Sequence, residues 1–131
     1  MSPLATPPRT FTVTRADLVR YAGASEDFNP IHYSDRVATA MGLPGVIAHG
    51  MLTMALAARA VGDWAGGPDR VLSFTVRFTS PVLVPDDDEG VEVVVEGEAG
   101  EPAEDGTVPV AVTATCGGEV VLGRARAVVR P

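Results

Sequence analysis

The chain has 131 residues, of which 46% are hydrophobic and 21% charged, a composition that suits one soluble globular domain and excludes a disordered chain. A net charge of −7 argues against a nucleic-acid binder, which needs a basic face for phosphates. The single cysteine, Cys116, excludes an internal disulfide framework and a multi-cysteine zinc site, and with two histidines (His32, His49), one asparagine (Asn29) and no lysine, few side chains remain for chemistry near neutral pH.

Residues 1–10 read as a Pro-rich arm before a single domain spanning 11–131. The start has no apolar signal-peptide core and no stretch is long enough to span a bilayer, so the expected location is cytoplasmic. Phe11–Thr14 is a short strand. Thr14 and Asp17 then resemble a capping box for a helix from Arg15 to about Ala24. Pro30 pushes Asn29 out of the helical region, so Gly23–His32 is irregular. Ser34 caps a short helix from Asp35 to Met41, and Gly42–Gly45 is a turn. Val46 to about Val61 reads as a helix apolar on nearly every side, which requires burial on every side.

Four alternating runs follow, at 72–79, 91–96, 108–115 and 121–129, separated by Gly-rich or acidic turns, which predicts an antiparallel sheet. The expected fold class is α+β, one long buried helix wrapped by a curved antiparallel sheet. Eleven of the seventeen acids fall within residues 78–119, densest at Asp86–Glu89, and read as solvated turns and outer strand faces.

Two segments carry candidate chemistry. Asp27, Asn29 and His32 lie within six positions around Pro30, where an irregular turn aims a carboxylate and an imidazole into one cavity and lets them hold a water. The structural alternative is that Asp27 caps the turn and His32 is a satisfied buried histidine. His49-Gly50 opens the apolar helix, whose first N–H groups are unpaired and partly positive, and a glycine there admits a carbonyl oxygen as an oxyanion hole does. The alternative is that Gly50 only permits close packing.

Tyr21–His32, with its complete core Asp27-Phe28-Asn29-Pro30-Ile31-His32, resembles the signature of the MaoC-like, or (R)-specific enoyl-thioester hydratase, family. Val46–Leu52 is similar to that family's entry to the central helix, and Arg77–Val82 to the strand that follows. The short chain with its Asp/His pair also resembles the catalytic subunits of mycobacterial (3R)-hydroxyacyl-carrier-protein dehydratases. Glu26 departs from the family's usual Gly, Pro85-Asp86-Asp87 from its Gly-Asp, and Thr53 and Ala55 from a common serine.

The resemblance implies a hot-dog fold and reversible hydration of trans-2-enoyl thioesters to (3R)-hydroxyacyl thioesters, with no cofactor. Asp27 and His32 are the implied catalytic pair. Gly50 binds the thioester carbonyl, His49 lines its pocket, and Asn29 holds the turn. The substrate carrier is CoA or an acyl carrier protein, met by a basic rim drawn from Arg59, Arg70, Arg124 and Arg126. A homodimer, or a heterodimer with a related chain, is expected because one unit leaves a sheet edge open. The rivals are a hot-dog thioesterase, disfavoured because Val46–Gly62 carries no acid, a non-catalytic partner subunit, which needs no dyad, and a metal site built from Asp27, His32 and His49.

Overall fold

The structure, a computed structural model, describes residues 4–131. In chain order it contains β1 (Arg9–Val13), α1 (Arg15–Ser25), α2 (Asp35–Ala40), α3 (Gly50–Ala65), β2 (Val71–Phe78), β3 (Val91–Ala99), β4 (Val108–Cys116) and β5 (Glu119–Val129), with short 3-10 turns at Pro30–His32 and Pro68–Arg70. The strands form one antiparallel sheet in the order β1-β3-β4-β5-β2, and α3 packs against it. This is the expected α+β hot-dog arrangement.

Local chemistry explains most boundaries. Thr14 Oγ1 accepts from the Asp17 N–H and the Asp17 carboxylate accepts from the Thr14 N–H, so the capping box is present with Asp in place of Glu. Ser34 Oγ accepts from Val37 N and starts α2. Inward-facing Val93, Val95, Val110, Val112, Val121 and Val129 meet Ala57, Ala60, Val61 and Trp64 of α3 in the core. Gly97 on β3 makes room for Trp64, because a Cβ there would stand 2.5 Å from the indole ring. The N-terminal arm is tied down from Thr6: its hydroxyl donates to Gly97 O, and Trp64 Nε1 donates to Pro7 O at 2.8 Å. Asp87 Oδ1 accepts from Glu89 N and Gly90 N, so the exposed acidic run closes the turn before β3.

Three expectations change. The central helix begins at Gly50, not Val46, because residues 46–48 pair with 82–84: Ala48 N donates to Val82 O, Val84 N donates to Val46 O, and Val46 N donates to Asp35. A backbone N–H spent on those partners is unavailable to a helix. The helix also runs four residues beyond Val61, to Ala65. Nor is it buried all round. The sheet covers one side, and Met51 remains 57% exposed.

The alternating run at 72–79 forms edge strand β2, whose apolar residues Leu72 and Phe78 are more than half exposed. Register shifts near Ser73 and Arg77 break its pleat. In β5 both Val121 and Leu122 are buried, against strict alternation, where the register with β4 shifts. Arg124 nearby sits in the left-handed region at φ 49°.

Candidate active site

The site is assembled where three irregular segments meet the start of α3. Glu26 ends α1 in the left-handed conformation, φ 63°, and turns the chain into the Asp27–His32 loop. Asp27 Oδ1 accepts from the Asn29 N–H at 3.2 Å, and Asn29 Oδ1 accepts from Ile31 N at 3.2 Å, which caps the 3-10 turn that carries His32. Asn29 thus caps the turn with its side chain, and its backbone N–H holds the Asp27 carboxylate.

His32 is anchored from the opposite side. Its Nδ1 lies 2.8 Å from Ile47 O, and a carbonyl only accepts, so Nδ1 carries the proton. In the neutral ring Nε2 is then a bare acceptor, 3.9 Å from Asp27 Oδ2. That gap exceeds a direct hydrogen bond and is about 0.5 Å short of the span of one shared water. A water donating about 2.8 Å bonds to both acceptors, with its H–O–H angle near 105°, needs them roughly 4.4 Å apart. The His32 side chain is 9% exposed and that of Asp27 is 50% exposed, so a sheltered imidazole stands beside a solvent-facing carboxylate.

The backbone beside Ile47 is held by polar contacts. Arg15 Nη2 pairs with Asp35, Arg15 Nε donates to Val84 O at 2.7 Å, and Val46 N donates to Asp35 Oδ1 at 3.0 Å. The Val46 N–H, then the Arg15 guanidinium, hold the Asp35 carboxyl below its ordinary value of 3.8. Asp35 had no signal in the sequence beyond its place after the Ser34 cap, because its partners are remote in the chain.

Gly50 opens α3 and lines a cleft of about 260 Å³ with His32, Thr53, Phe78, Pro81 and Val121. As the first residue of the helix its N–H has no intrahelical partner. A Cβ at Gly50 would stand 3.1 Å from the Phe78 ring. Thr53, one of the residues departing from the family's usual serine, is buried at the same cleft. Phe78 and Val121 read in the sequence only as strand residues, because they reach the cleft through sheet topology.

The structure brings Asp27, Asn29 and His32 together in one loop, with Gly50 against the Phe78 ring at the cleft. It places His49 differently: 1% exposed, behind His32 and not among the cleft residues. Its Nε2 donates to Asp27 O at 3.1 Å, its ring stacks on His32 at 3.9 Å between centroids, and the edge of Tyr21 meets it at 4.8 Å. Burial lowers the affinity of His49 for a proton below the ordinary value of 6.5.

None of the four arginines expected to rim the site lines the cleft. Arg59 lies over Phe11, Arg70 reaches Arg130 O, and Arg126 lines a groove on the β3–β5 face. A larger cavity of about 620 Å³, lined among others by Arg9, Phe11, Arg20, Leu52 and Arg59, lies between β1, α1 and α3. It touches the site cluster only through Tyr21, and neither Asp27 nor a histidine lines it.

Asp27, His32 and His49 each offer a ligand atom within 4.8 Å of the others. Ligands on one tetrahedral zinc, with bonds of about 2.0–2.2 Å, stand about 3.3 Å apart. His49 Nε2 is already committed to Asp27 O and its Nδ1 is sealed in the interior, so His49 has no nitrogen free to complete a metal site with Asp27 and His32. Among the described residues no helix is long and apolar enough to cross a membrane.

The fold and the Asp27–His32 loop define a class, and comparison with known proteins gives the same one. Residues 2–115 match the MaoC like domain, and the chain belongs to that family. It is 42% identical over 82 residues to 3-hydroxyacyl-thioester dehydratase X of Mycobacterium tuberculosis, covering 63% of this chain and 28% of that protein. It is 36% identical over 111 residues to 3-hydroxybutyryl-CoA dehydratase of Methylorubrum extorquens, covering 84% of this chain and 68% of the relative. Among solved structures, the (R)-hydratase of A. caviae involved in PHA biosynthesis superposes with a TM-score of 0.84 at 26% identity, over 99% of this chain and 96% of the other. A MaoC-like dehydratase superposes at 0.90 with 39% identity, over 95% of this chain and 38% of that one. The chain thus spans less than a third of the length of the Mycobacterium relative and a little over two thirds of the Methylorubrum one.

Proposed function

We propose that the protein reversibly hydrates trans-2-enoyl thioesters to (3R)-hydroxyacyl thioesters. The observation that carries this reading is the 3.9 Å separation of Asp27 Oδ2 and His32 Nε2, with His32 lining a cleft that Gly50, the first residue of α3, also lines. Dehydratases and hydratases of such thioesters among its relatives support it.

Asp27 and His32 each accept a hydrogen from one water and turn its lone pairs toward C3 of the enoyl group. As the oxygen–C3 bond forms, the pair takes one proton from the water. The electrons of the C2–C3 double bond move toward the thioester carbonyl. The Gly50 N–H stabilises that enolate charge at the positive end of the helix. A proton then returns from the pair to C2, so one water is added overall and no proton is left behind. The two groups act as a unit on the one water. Asn29 holds the loop, and Thr53 supplies a hydroxyl where relatives of this family commonly have a serine. No step calls for a cofactor.

The thioester is carried by CoA or by an acyl carrier protein, and the volume of about 260 Å³ fits only the acyl end. The open edge of β2, with Leu72 and Phe78 exposed, and Met51 on the uncovered side of α3 support pairing with a second hot-dog chain, identical or related. Light scattering at micromolar concentration is expected to give a dimer for the chain alone or with its partner. A monomer under both conditions contradicts the pairing.

The thioesterase alternative finds less support. The helix does hold one acid, Asp63, but it pairs with Arg9 and lies thirteen residues from Gly50, about 20 Å along the axis. The test is an enoyl-CoA series given to the purified chain, then repeated with carrier-linked substrate. Loss of enoyl absorbance without thiol release is expected. Release of free thiol, or no reaction with either carrier, contradicts the proposal.

A further inference from the structure

His49 is the most costly side chain in the site to keep. It is fully buried, and its Nδ1 is the one buried side-chain nitrogen or oxygen left without a partner among the described residues. An apolar ring of similar size would fill the space without that penalty. The imidazole must therefore do something an apolar ring does not, and its contacts say what. Its Nε2–H donates to the backbone carbonyl of Asp27. Its face lies on the His32 ring, 3.9 Å between centroids and 25° from parallel. Tyr21, from α1, presses on the same ring from another direction at 60°.

We propose that His49 is a positioning residue that grips both halves of the dyad, the Asp27 backbone through Nε2–H and the His32 ring through its face. The two groups come from separate turns of a loop with little regular structure, and this one side chain fixes their spacing. A glutamine could make the first contact and a phenylalanine the second, but neither makes both. His49 must also stay uncharged, because a second imidazolium stacked on His32 would repel the proton His32 has to accept. Burial has that effect, and the nearby His32 acts in the same direction. The other titratable groups facing His49 are Asp27 and Tyr21.

The kinetic arm of the test rests on the hydratase reading above, and the spectroscopic arm does not. The chain has only two histidines, so nitrogen NMR of the imidazole rings resolves each one. In the parent protein at neutral pH, His49 is expected as the Nε2–H tautomer and His32 as the Nδ1–H tautomer. His49→Gln, losing the stacking face, is expected to leave His32 a mixture of tautomers. His49→Phe, keeping the face, leaves His32 as Nδ1–H but frees the Asp27 carbonyl.

Both variants are expected to lower kcat for crotonyl-CoA hydration by about tenfold or more, the scale on which small misplacements act. KM stays within about threefold, because no substrate contact is removed. A parent His49 found as the Nδ1–H tautomer overturns the proposal without any variant. So do folded variants with parental kcat and an unchanged His32 ring, or a loss confined to one variant. If the parent does not hydrate enoyl thioesters at all, the function fails while the tautomers still decide the role of His49.

Discussion

The two ends of α3 are built to different rules. At its C-terminal end Val61, Trp64 and Ala65 are buried, the indole N–H is satisfied by Pro7 O, and Gly66 closes the helix in the left-handed conformation with its N–H returned to Asp63 and Gly62. At its N-terminal end no side chain caps the helix, the first residue is a glycine, and the preceding histidine keeps an unpaired buried nitrogen. One end is packed and capped, and the other violates three local preferences within two residues. Such violations gather where geometry serves chemistry and not stability. The well-packed end holds the helix so that the other can stay open.

The contrast can be broken most severely at Trp64. Trp64→Ala removes a buried ring and its hydrogen bond, and is expected to cost about 3–5 kcal/mol in urea unfolding. A loss under about 1 kcal/mol would mean that this end does not anchor the helix.

Gly50→Ala probes the opposite end. The new methyl meets the Phe78 ring at 3.1 Å in the cleft. Hydration is expected to fall by about tenfold to a hundredfold, up to the scale of a lost oxyanion donor, while stability stays within about 1 kcal/mol of the parent. Unchanged activity would remove Gly50 from the site.

Thr14→Ala, remote from both ends, loses a cap and is expected to cost about 1 kcal/mol with activity intact. The smallest effect is on pH dependence. Burial holds the folded-state pKa of His49 below its ordinary 6.5, so on acidification the unfolded chain takes up the proton first. Its contribution to stability is full above about pH 6.5 and is lost as the pH falls from there toward the folded-state value. Urea midpoints from about pH 7.5 to 5.5 are expected to fall more steeply in the parent than in His49→Phe. Equal slopes contradict the buried, uncharged imidazole.

Much of this contrast is legible in the sequence, and the limits have physical reasons. Local rules found the Thr14–Asp17 box, the Ser34 cap and the valine alternation of β3 and β4, because each depends on neighbours a few residues away. The Asp27–His32 loop was legible as a motif, and Gly50 as a candidate site residue. The true start of α3 was not, because long-range pairing with residues 82–84 and Asp35 claims the backbone of residues 46–48. Nor was the place of His49. A histidine beside a helix-opening glycine reads as a pocket residue until packing shows it stacked behind His32. The exposure of Leu72 and Phe78 also follows from strand order, which alternation does not encode.

The central claim is that Asp27 and His32 jointly activate one water. It is tested most directly by following crotonyl-CoA hydration in the parent, Asp27→Asn and His32→Ala, with folding of each verified by thermal melts. Each variant is expected to lose at least about a hundredfold in rate, the scale of a general acid–base group, and the double variant to lose little more than the worse single one. Parental rates in both folded single variants would contradict the account.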